Sequence, residues 1–123
     1  MGPTLARAGF VLDEVQQGVA YGERPAWAVY YCSDDCKLQV CWSAREGGID
    51  FMLAPLDAPN EFGLTNRSKK WHFMLMLDKS VDDLATPTID ADEETWWTWR
   101  KALFEAHFDA ARTALLRMGN TEA

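Results

Sequence analysis

Basic residues are scarce in this sequence, and long apolar runs are missing. Lysine and arginine number 12 against 19 aspartate and glutamate residues, which gives the chain a formal net charge of −7. Because nucleic-acid phosphates are bound by clustered basic side chains, we expect no nucleic-acid partner. No stretch approaches the roughly 20 consecutive apolar residues of a membrane-spanning helix, so we expect no association with a membrane.

The sequence also has no export signal and too few cysteines for a disulfide framework. Its N-terminus lacks the charged lead and the apolar stretch of a signal peptide. The three cysteines, Cys32, Cys36 and Cys41, are an odd number, which without an export signal indicates reduced thiols. These features predict a cytoplasmic protein.

Motifs typical of catalysis, cofactor binding or metal binding are absent. There is no Gly-x-Ser-x-Gly nucleophile motif, no P-loop and no Gly-x-Gly-x-x-Gly fingerprint. The cysteines, together with His72 and His107, include enough ligand types for zinc. However, strand alternation places Cys36 and Cys41 on opposite faces of the hairpin described below, and Cys32 about 13 Å from Cys41. We therefore predict no catalytic residue, no cofactor and no metal site, which favours a protein that is not an enzyme.

What the sequence does contain is apolar material for one folded domain. Hydrophobic residues make up 48% of the 123 residues and charged residues 25%, a composition typical of globular proteins. A chain of this length buries roughly two thirds of its surface on folding. No repeat, linker or low-complexity tract divides it, so residues 1–123 are interpreted as a single domain.

A β-hairpin is predicted in the first half of the chain. The β-rich runs Ala26–Cys32 and Lys37–Ser43 flank the turn-type sequence Ser33–Cys36. With the two aspartates of that turn at the tip, the facing pairs are Tyr31–Leu38, Val29–Val40 and Trp27–Trp42. A shift of one residue would place the polar Gln39 opposite Val29, so the hydrophobic pattern selects the first register.

Three further strands are predicted. Phe10–Val15 precedes the hairpin, and its pairing is expected to loosen over Gly18–Gly22. Ile49–Ala54 alternates in step with the hairpin and extends it as a meander. Trp71–Leu77 is apolar on nearly both faces, which indicates a central strand or one covered by a helix. Loops are predicted for residues 55–70 and 80–91.

The longest uninterrupted segment is a predicted helix from about Asp92 to Met118. It contains no glycine or proline, and Gly119-Asn120 is a typical helix stop. The carboxylate of Asp90 or Asp92 is expected to cap its first turn. Because its apolar residues occupy about half of a helical wheel, one side of this helix is expected to pack on the strands.

These elements together predict an α+β fold. A mostly antiparallel sheet of four to five strands, arranged as a meander, packs against the one long C-terminal helix. A short N-terminal helix is expected over residues 4–8, between Pro3 and Gly9.

Glu93, Arg100 and His107 form a polar stripe within the apolar face of the predicted C-terminal helix. They recur every seven residues and fall at about 60°, 40° and 20° on a helical wheel. An unpaired buried arginine is costly, so Arg100 needs a carboxylate such as Glu93 or Asp50, or access to water. In one interpretation the helix overhangs the sheet, Arg100 reaches water and His107 bonds a backbone carbonyl. In the other, the stripe forms a small polar pocket between helix and sheet that binds an anionic group.

Trp96, Trp97 and Trp99 span roughly 160° around the start of the same helix, more than a single sheet normally covers. Tryptophan is enriched in interface hot spots, so these rings indicate a surface covered by a protein partner or a second copy of the chain. Filling of the core is the alternative. Residues 81–95 hold six acidic residues and no basic one, which suits a basic partner or is simply a solvated face.

Two functions are compatible with these features. The leading hypothesis is a non-enzymatic cytoplasmic protein-binding module, such as an adaptor, a secretion chaperone or a toxin-neutralising protein, that presents an acidic, tryptophan-rich surface. Its candidate binding residues are Glu93, Trp96, Trp97, Trp99, Arg100 and His107. The alternative is a small anionic-ligand-binding protein or enzyme that uses a helix–sheet pocket with Arg100 and His107.

Overall fold

Five strands form one antiparallel sheet in which each strand pairs with its neighbour in the chain. The computed structural model describes residues 2–21, 23–44, 48–65, 67–79, 82 and 84–121. The strands are β1 (Val11–Tyr21), β2 (Arg24–Cys32), β3 (Lys37–Ser43), β4 (Gly48–Ala54) and β5 (His72–Phe73), and the helices are α1 (Gly2–Arg7), α2 (Met74–Leu77) and α3 (Glu93–Thr121). The strand order β1-β2-β3-β4-β5 is that of a meander. The predicted α+β fold, with a long C-terminal and a short N-terminal helix, is confirmed.

The predicted register of the β2–β3 hairpin is confirmed. The facing pairs are Trp27–Trp42, Val29–Val40 and Tyr31–Leu38, and β4 continues them with Ile49 opposite Trp42 and Phe51 opposite Val40. At the tip, the Ser33 hydroxyl oxygen accepts hydrogen bonds from the backbone N–H groups of Asp35 and Cys36. The Asp35 carboxylate also forms an ion pair with Arg112 of α3, which ties the tip to the helix.

β1 is longer than the predicted Phe10–Val15, since it runs for 11 residues. Its register with β2 shifts after Leu12 and again after Gln16, which marks two bulges. At the second bulge Gly18 adopts φ of +73°, a conformation that glycine accepts without the strain of other residues. Pairing is therefore interrupted where loosening is predicted and then resumes, while Gly22 lies outside the described residues.

The strand predicted for Trp71–Leu77 is wrong beyond its first residues. Only His72–Phe73 pairs with β4, and Met74–Leu77 forms the single-turn helix α2, closed by a 3.0 Å hydrogen bond from the Asp78 N–H to the Met74 carbonyl. A short run that is apolar on all sides does not distinguish a strand from a helical turn, and the alternating methionine and leucine residues favour a helix. As a result α2, not a strand, flanks the Gly48 end of β4.

The start of α3 is as predicted, whereas its end is not. The Asp92 carboxylate accepts a 2.8 Å hydrogen bond from the Thr95 N–H, which is the expected cap. The helical backbone runs through Thr121, three residues beyond Met118, where the sequence predicts the helix to end. A glycine costs a helix about 1 kcal/mol relative to alanine but does not forbid helical dihedral angles.

Both faces of the sheet carry a buried core. On one face α1 and α3 pack against the strands, with Leu5, Phe10, Cys36, Leu38, Val40, Phe51, Leu53, Met74, Leu103, Phe104, Phe108, Ala111 and Leu115 buried. On the reverse face, the segment that follows β4 covers Ala26, Ala28, Tyr30, Cys41, Met52 and Ala54 with Ala58, Phe62 and Trp71. Cys36 and Cys41 thus lie on opposite faces, as the strand alternation predicts.

Buried Gln39 holds the covering segment to the reverse face. Its side-chain amide donates to the Glu61 carbonyl (3.0 Å) and its side-chain oxygen accepts from the Gly63 N–H (2.9 Å). Gly63 lies so close to the sheet that a Cβ at this position would be 2.3 Å from the sulfur of Met52. Any larger residue at this position would therefore force the Met52 side chain or the covering segment to shift.

Candidate binding site

Five of the six tryptophans line one cleft at the start of α3. Trp27 and Trp42 come from neighbouring strands and are stacked, with ring centroids 6.5 Å apart and planes inclined by 20°. Trp96 and Trp99 come from α3 and meet edge to face at 5.7 Å. The space that these four rings enclose with Trp97 has a volume of about 760 Å³ and is called the tryptophan cleft below. Its tryptophans are all half-buried, so their rings remain partly accessible.

Arg100 lies between two rings of the tryptophan cleft. Its guanidinium carbon is 5.3 Å from the ring centroid of Trp96 and 5.2 Å from that of Trp97. Trp96 and Trp97 precede Arg100 by four and three residues, the separations that make side chains neighbours on a helix. Burial lowers the pKa of Arg100, and the negative charge of Glu93 opposes that shift. Since a guanidinium keeps its proton in proteins, the cleft contains a permanent positive charge.

Two buried nitrogen donors at this site have no hydrogen-bond acceptor within the described part of the chain. They are the Nε of Arg100 and the indole Nε1 of Trp99, which belong to adjacent residues. A buried donor without an acceptor costs about 1–3 kcal/mol. An oxygen atom supplied by a ligand or partner would remove this cost.

His107 lies apart from the tryptophan cleft, in a buried ion pair with two aspartates. Its Nδ1 is 2.8 Å from a carboxylate oxygen of Asp78, and its Nε2 is 2.5 Å from one of Asp82. Both ring nitrogens must carry a proton to donate to both carboxylates, so the imidazole is charged. These hydrogen bonds raise the pKa of His107, with the largest contribution from Asp82, and His107 in turn lowers the pKa of Asp82. His107 therefore connects α3 to Asp78 and Asp82, which follow α2 in the chain.

The half of the sheet formed by β1 and β2 is only partly covered. The long helix α3 lies over β4 and α2. The bulge after Leu12 places Leu12 and Val15 on the face that carries Trp27 and Val29, although an unbroken strand would direct two residues three apart to opposite faces. Leu12 is 57% exposed and Val15 is 47% exposed. Leu12, Val15, Trp27, Val29 and Trp42 are called the sheet patch below.

The tryptophan cleft and the sheet patch adjoin, and acidic residues flank the cleft. Trp27 and Trp42 belong to both, since a depression of about 530 Å³ on their far side is lined by Val15 and Val29. The acidic side chains beside the tryptophan cleft are Asp90, Asp92, Glu93 and Glu94 at the start of α3, and all four are exposed. Asp13 and Glu14 of β1 accept hydrogen bonds from the Asn60 side chain of the segment that covers the reverse face, so they do not border the sheet patch. Asp83, which also belongs to the predicted acidic run, lies outside the described residues. This end of the molecule therefore combines an apolar surface with a negative border.

Of the six predicted site residues, five lie together and one does not. Glu93, Trp96, Trp97, Trp99 and Arg100 all line the tryptophan cleft. His107 is buried against the two aspartates and does not line the cleft. Sequence reasoning missed Trp27 and Trp42 as site residues. The signal for them was present, because the predicted register pairs these two tryptophans on one sheet face.

The described residues offer no cluster of three or more histidine, cysteine, aspartate and glutamate side chains that could hold a metal ion. Among the helices described, none has the length and apolar character needed to cross a membrane. No family model, curated protein or solved structure matches the chain.

Proposed function

We propose that this chain is a non-enzymatic, cytoplasmic protein-binding module, of the kind that serves as an adaptor, a secretion chaperone or a toxin-neutralising protein. The observation that carries the proposal is the convergence of five half-buried tryptophans from two layers of the fold onto one accessible cleft. Large aromatic side chains in a partly desolvated pocket are typical binding hot spots. The adjoining sheet patch would extend the contact area of a partner.

The charge distribution supports a basic partner. Acidic side chains at the start of α3 border the tryptophan cleft, and the whole chain carries −7. The basic residues Lys69 and Lys70 line a different pocket, together with Leu115 of α3. Leu115 is 19 residues from Trp96, or about 28 Å along the helix. Negative charge concentrated beside the cleft, with basic residues far from it, would steer a positively charged partner toward the cleft.

The test is a binding experiment with two matched arginine substitutions in β1. Val15→Arg places a bulky charge in the sheet patch, whereas Val11→Arg places the same charge on the opposite face of the same strand. We expect wild type and Val11→Arg to retain one stoichiometric basic protein from native lysate, and Val15→Arg and Trp97→Ala to lose it. Recovery of no stoichiometric partner, or equal recovery by all four proteins, would contradict the proposal.

A further inference from the structure

A second pocket opens between β4, α2 and α3, and it shares Ile49, Trp99 and Arg100 with the tryptophan cleft. It exists because the chain turns into α2 after Phe73 instead of continuing as a strand along β4. Its volume is about 340 Å³, and most of its lining is apolar, including Phe51, Phe73, Met74 and Leu103. Its size is at the lower end of the range for ligand pockets, which suits one aromatic ring or a short alkyl chain.

The polar side chains that α3 contributes to this pocket are hydrogen-bond donors. Trp99 and Arg100 line it, and their buried Nε1 and Nε atoms lack acceptors among the described residues. Asp50 lines the pocket as well, but it pairs with Cys41 in the strand register, so its side chain belongs to the reverse face of the sheet. Trp99 and Arg100 line both this pocket and the tryptophan cleft, so α3 places two N–H groups without acceptors among the described residues, and one permanent positive charge, at the boundary between the two cavities. The guanidinium carbon itself lies over Trp96 and Trp97 of the cleft.

We infer that this pocket binds an apolar carboxylate, with the hydrocarbon part against Phe51, Phe73 and Leu103 and the carboxylate at Arg100 and Trp99. A carboxylate supplies oxygen acceptors for both donors and an opposite charge for the guanidinium in a partly desolvated site. A neutral apolar ligand would leave both donors unsatisfied, and a cation would be repelled by Arg100. The carboxylate belongs either to a small organic acid or to the C-terminus of a peptide.

The experiment compares ligands that differ only in the charged group. The full chain is titrated, by calorimetry, with 4-phenylbutyrate and with its amide, and with an apolar tetrapeptide that has a free or an amidated C-terminus. We expect saturable binding of at least one carboxylate, with a Kd of about 1 mM or below, the range open to a ligand of roughly a dozen heavy atoms. The matching amide should bind at least about tenfold more weakly.

Two variants assign the binding to the named donors. Arg100→Gln should weaken carboxylate binding about tenfold or more, whereas Lys101→Gln removes an exposed cation from the next position of α3 and should have no effect. Trp99→Phe keeps an aromatic ring but removes the N–H, and should weaken carboxylate binding about 2- to 10-fold. If Arg100→Gln does not fold by circular dichroism, Trp99→Phe decides the question.

The outcomes separate the possibilities. Binding of the free acid identifies a small-molecule carboxylate, and binding of only the free-terminus peptide identifies a peptide C-terminus. Absence of binding by every carboxylate at 10 mM (roughly ten times the weakest expected Kd), equal binding of acid and amide, or unchanged binding by Arg100→Gln would overturn the inference. Because Val15 lies outside this pocket, Val15→Arg should bind the carboxylate like wild type even if it loses its protein partner. The two proposals can therefore fail independently.

Discussion

At the scale of single residues, His107 is predicted to line a pocket, whereas the structure buries its side chain in hydrogen bonds with two aspartates. Its ring nitrogens form hydrogen bonds with Asp78 and Asp82, which lie between α2 and α3 in the chain. A histidine with two carboxylate partners favours its protonated form, which is the reason for its raised pKa. Its contribution to stability must therefore depend on pH.

We expect the free energy of unfolding to fall as pH rises from 6 to 8. The pKa of His107 is higher in the folded chain than in the unfolded chain, where it is about 6.5. The stabilisation is complete below the unfolded pKa and is lost as pH rises through the folded pKa. Urea denaturation should show the fall in wild type and in His72→Gln. His107→Gln should lack it and should be about 2 kcal/mol less stable at pH 6.

We limit this prediction to pH values up to 8, because ionisation of the cysteine thiols adds a further pH dependence to the free energy of unfolding above pH 8. Burial raises the pKa of Cys36 to about 11, whereas an unfolded cysteine titrates near 8.5. Constant stability of wild type between pH 6 and 8, or a fall that persists in His107→Gln, would show that His107 is not charged in the folded chain.

At the scale of elements, one helix is too narrow for a sheet of five strands. Strands are about 4.8 Å apart, so the sheet is about 19 Å wide between its outer strand axes, whereas a helix with its side chains is about 10 Å across. On the face that carries α3, this leaves the sheet patch accessible. Within the described part of the chain no helix lies on the reverse face, where residues between Pro55 and Trp71 cover the strands through close contacts.

Gly63→Ala should therefore destabilise the protein by about 1–3 kcal/mol, the usual cost of an extra methyl group in a packed core. The added Cβ would be 2.3 Å from the Met52 sulfur and 3.2 Å from the side-chain nitrogen of Gln39. Gly48→Ala is the matched control, since a Cβ there has no heavy atom within 4 Å. Urea denaturation measures both variants. A change of less than about 0.5 kcal/mol in Gly63→Ala would contradict this prediction and would mean that the Met52 side chain or the covering segment shifts at little cost.

At the scale of the whole molecule, charge and apolar surface coincide. The formal charge is −7, and exposed acidic residues border the tryptophan cleft. Two copies that met through this surface would bring like charges together, which opposes a homodimer and favours a basic partner.

We accordingly expect the purified chain to be a monomer, with the mass of one chain by light scattering at both low and high salt. The association rate with the basic protein partner that we propose should fall as salt screens the acidic residues at the start of α3, since the Debye length shortens from about 30 Å at 0.01 M to about 8 Å at 0.15 M salt. Val15→Arg serves as the control for the surface. A stable dimer that Val15→Arg dissociates would instead assign the sheet patch to a second copy of the chain.

Much of the fold was predictable because it depends on local pattern. Alternation of apolar residues determined the register from Trp27 to Leu53, since a slip of one residue would move the apolar side chains of a strand to the face opposite the core. The long helix and its cap at Asp92 followed from periodicity and from the dipole of the first turn. The same periodicity placed Arg100 beside Trp96 and Trp97, because residues three and four apart are neighbours on a helix.

Only the tertiary structure decided how these elements meet. The run after Trp71 is apolar on all sides, so its conformation depended on what lay beside it, and its helical turn created the pocket between β4 and α3. The partners of His107 come from an irregular segment 25 and 29 residues earlier, a separation that no local period encodes. The amino-acid pattern thus specified each element and its faces, whereas the clefts arose from long-range packing, which brings together residues with no relation along the chain.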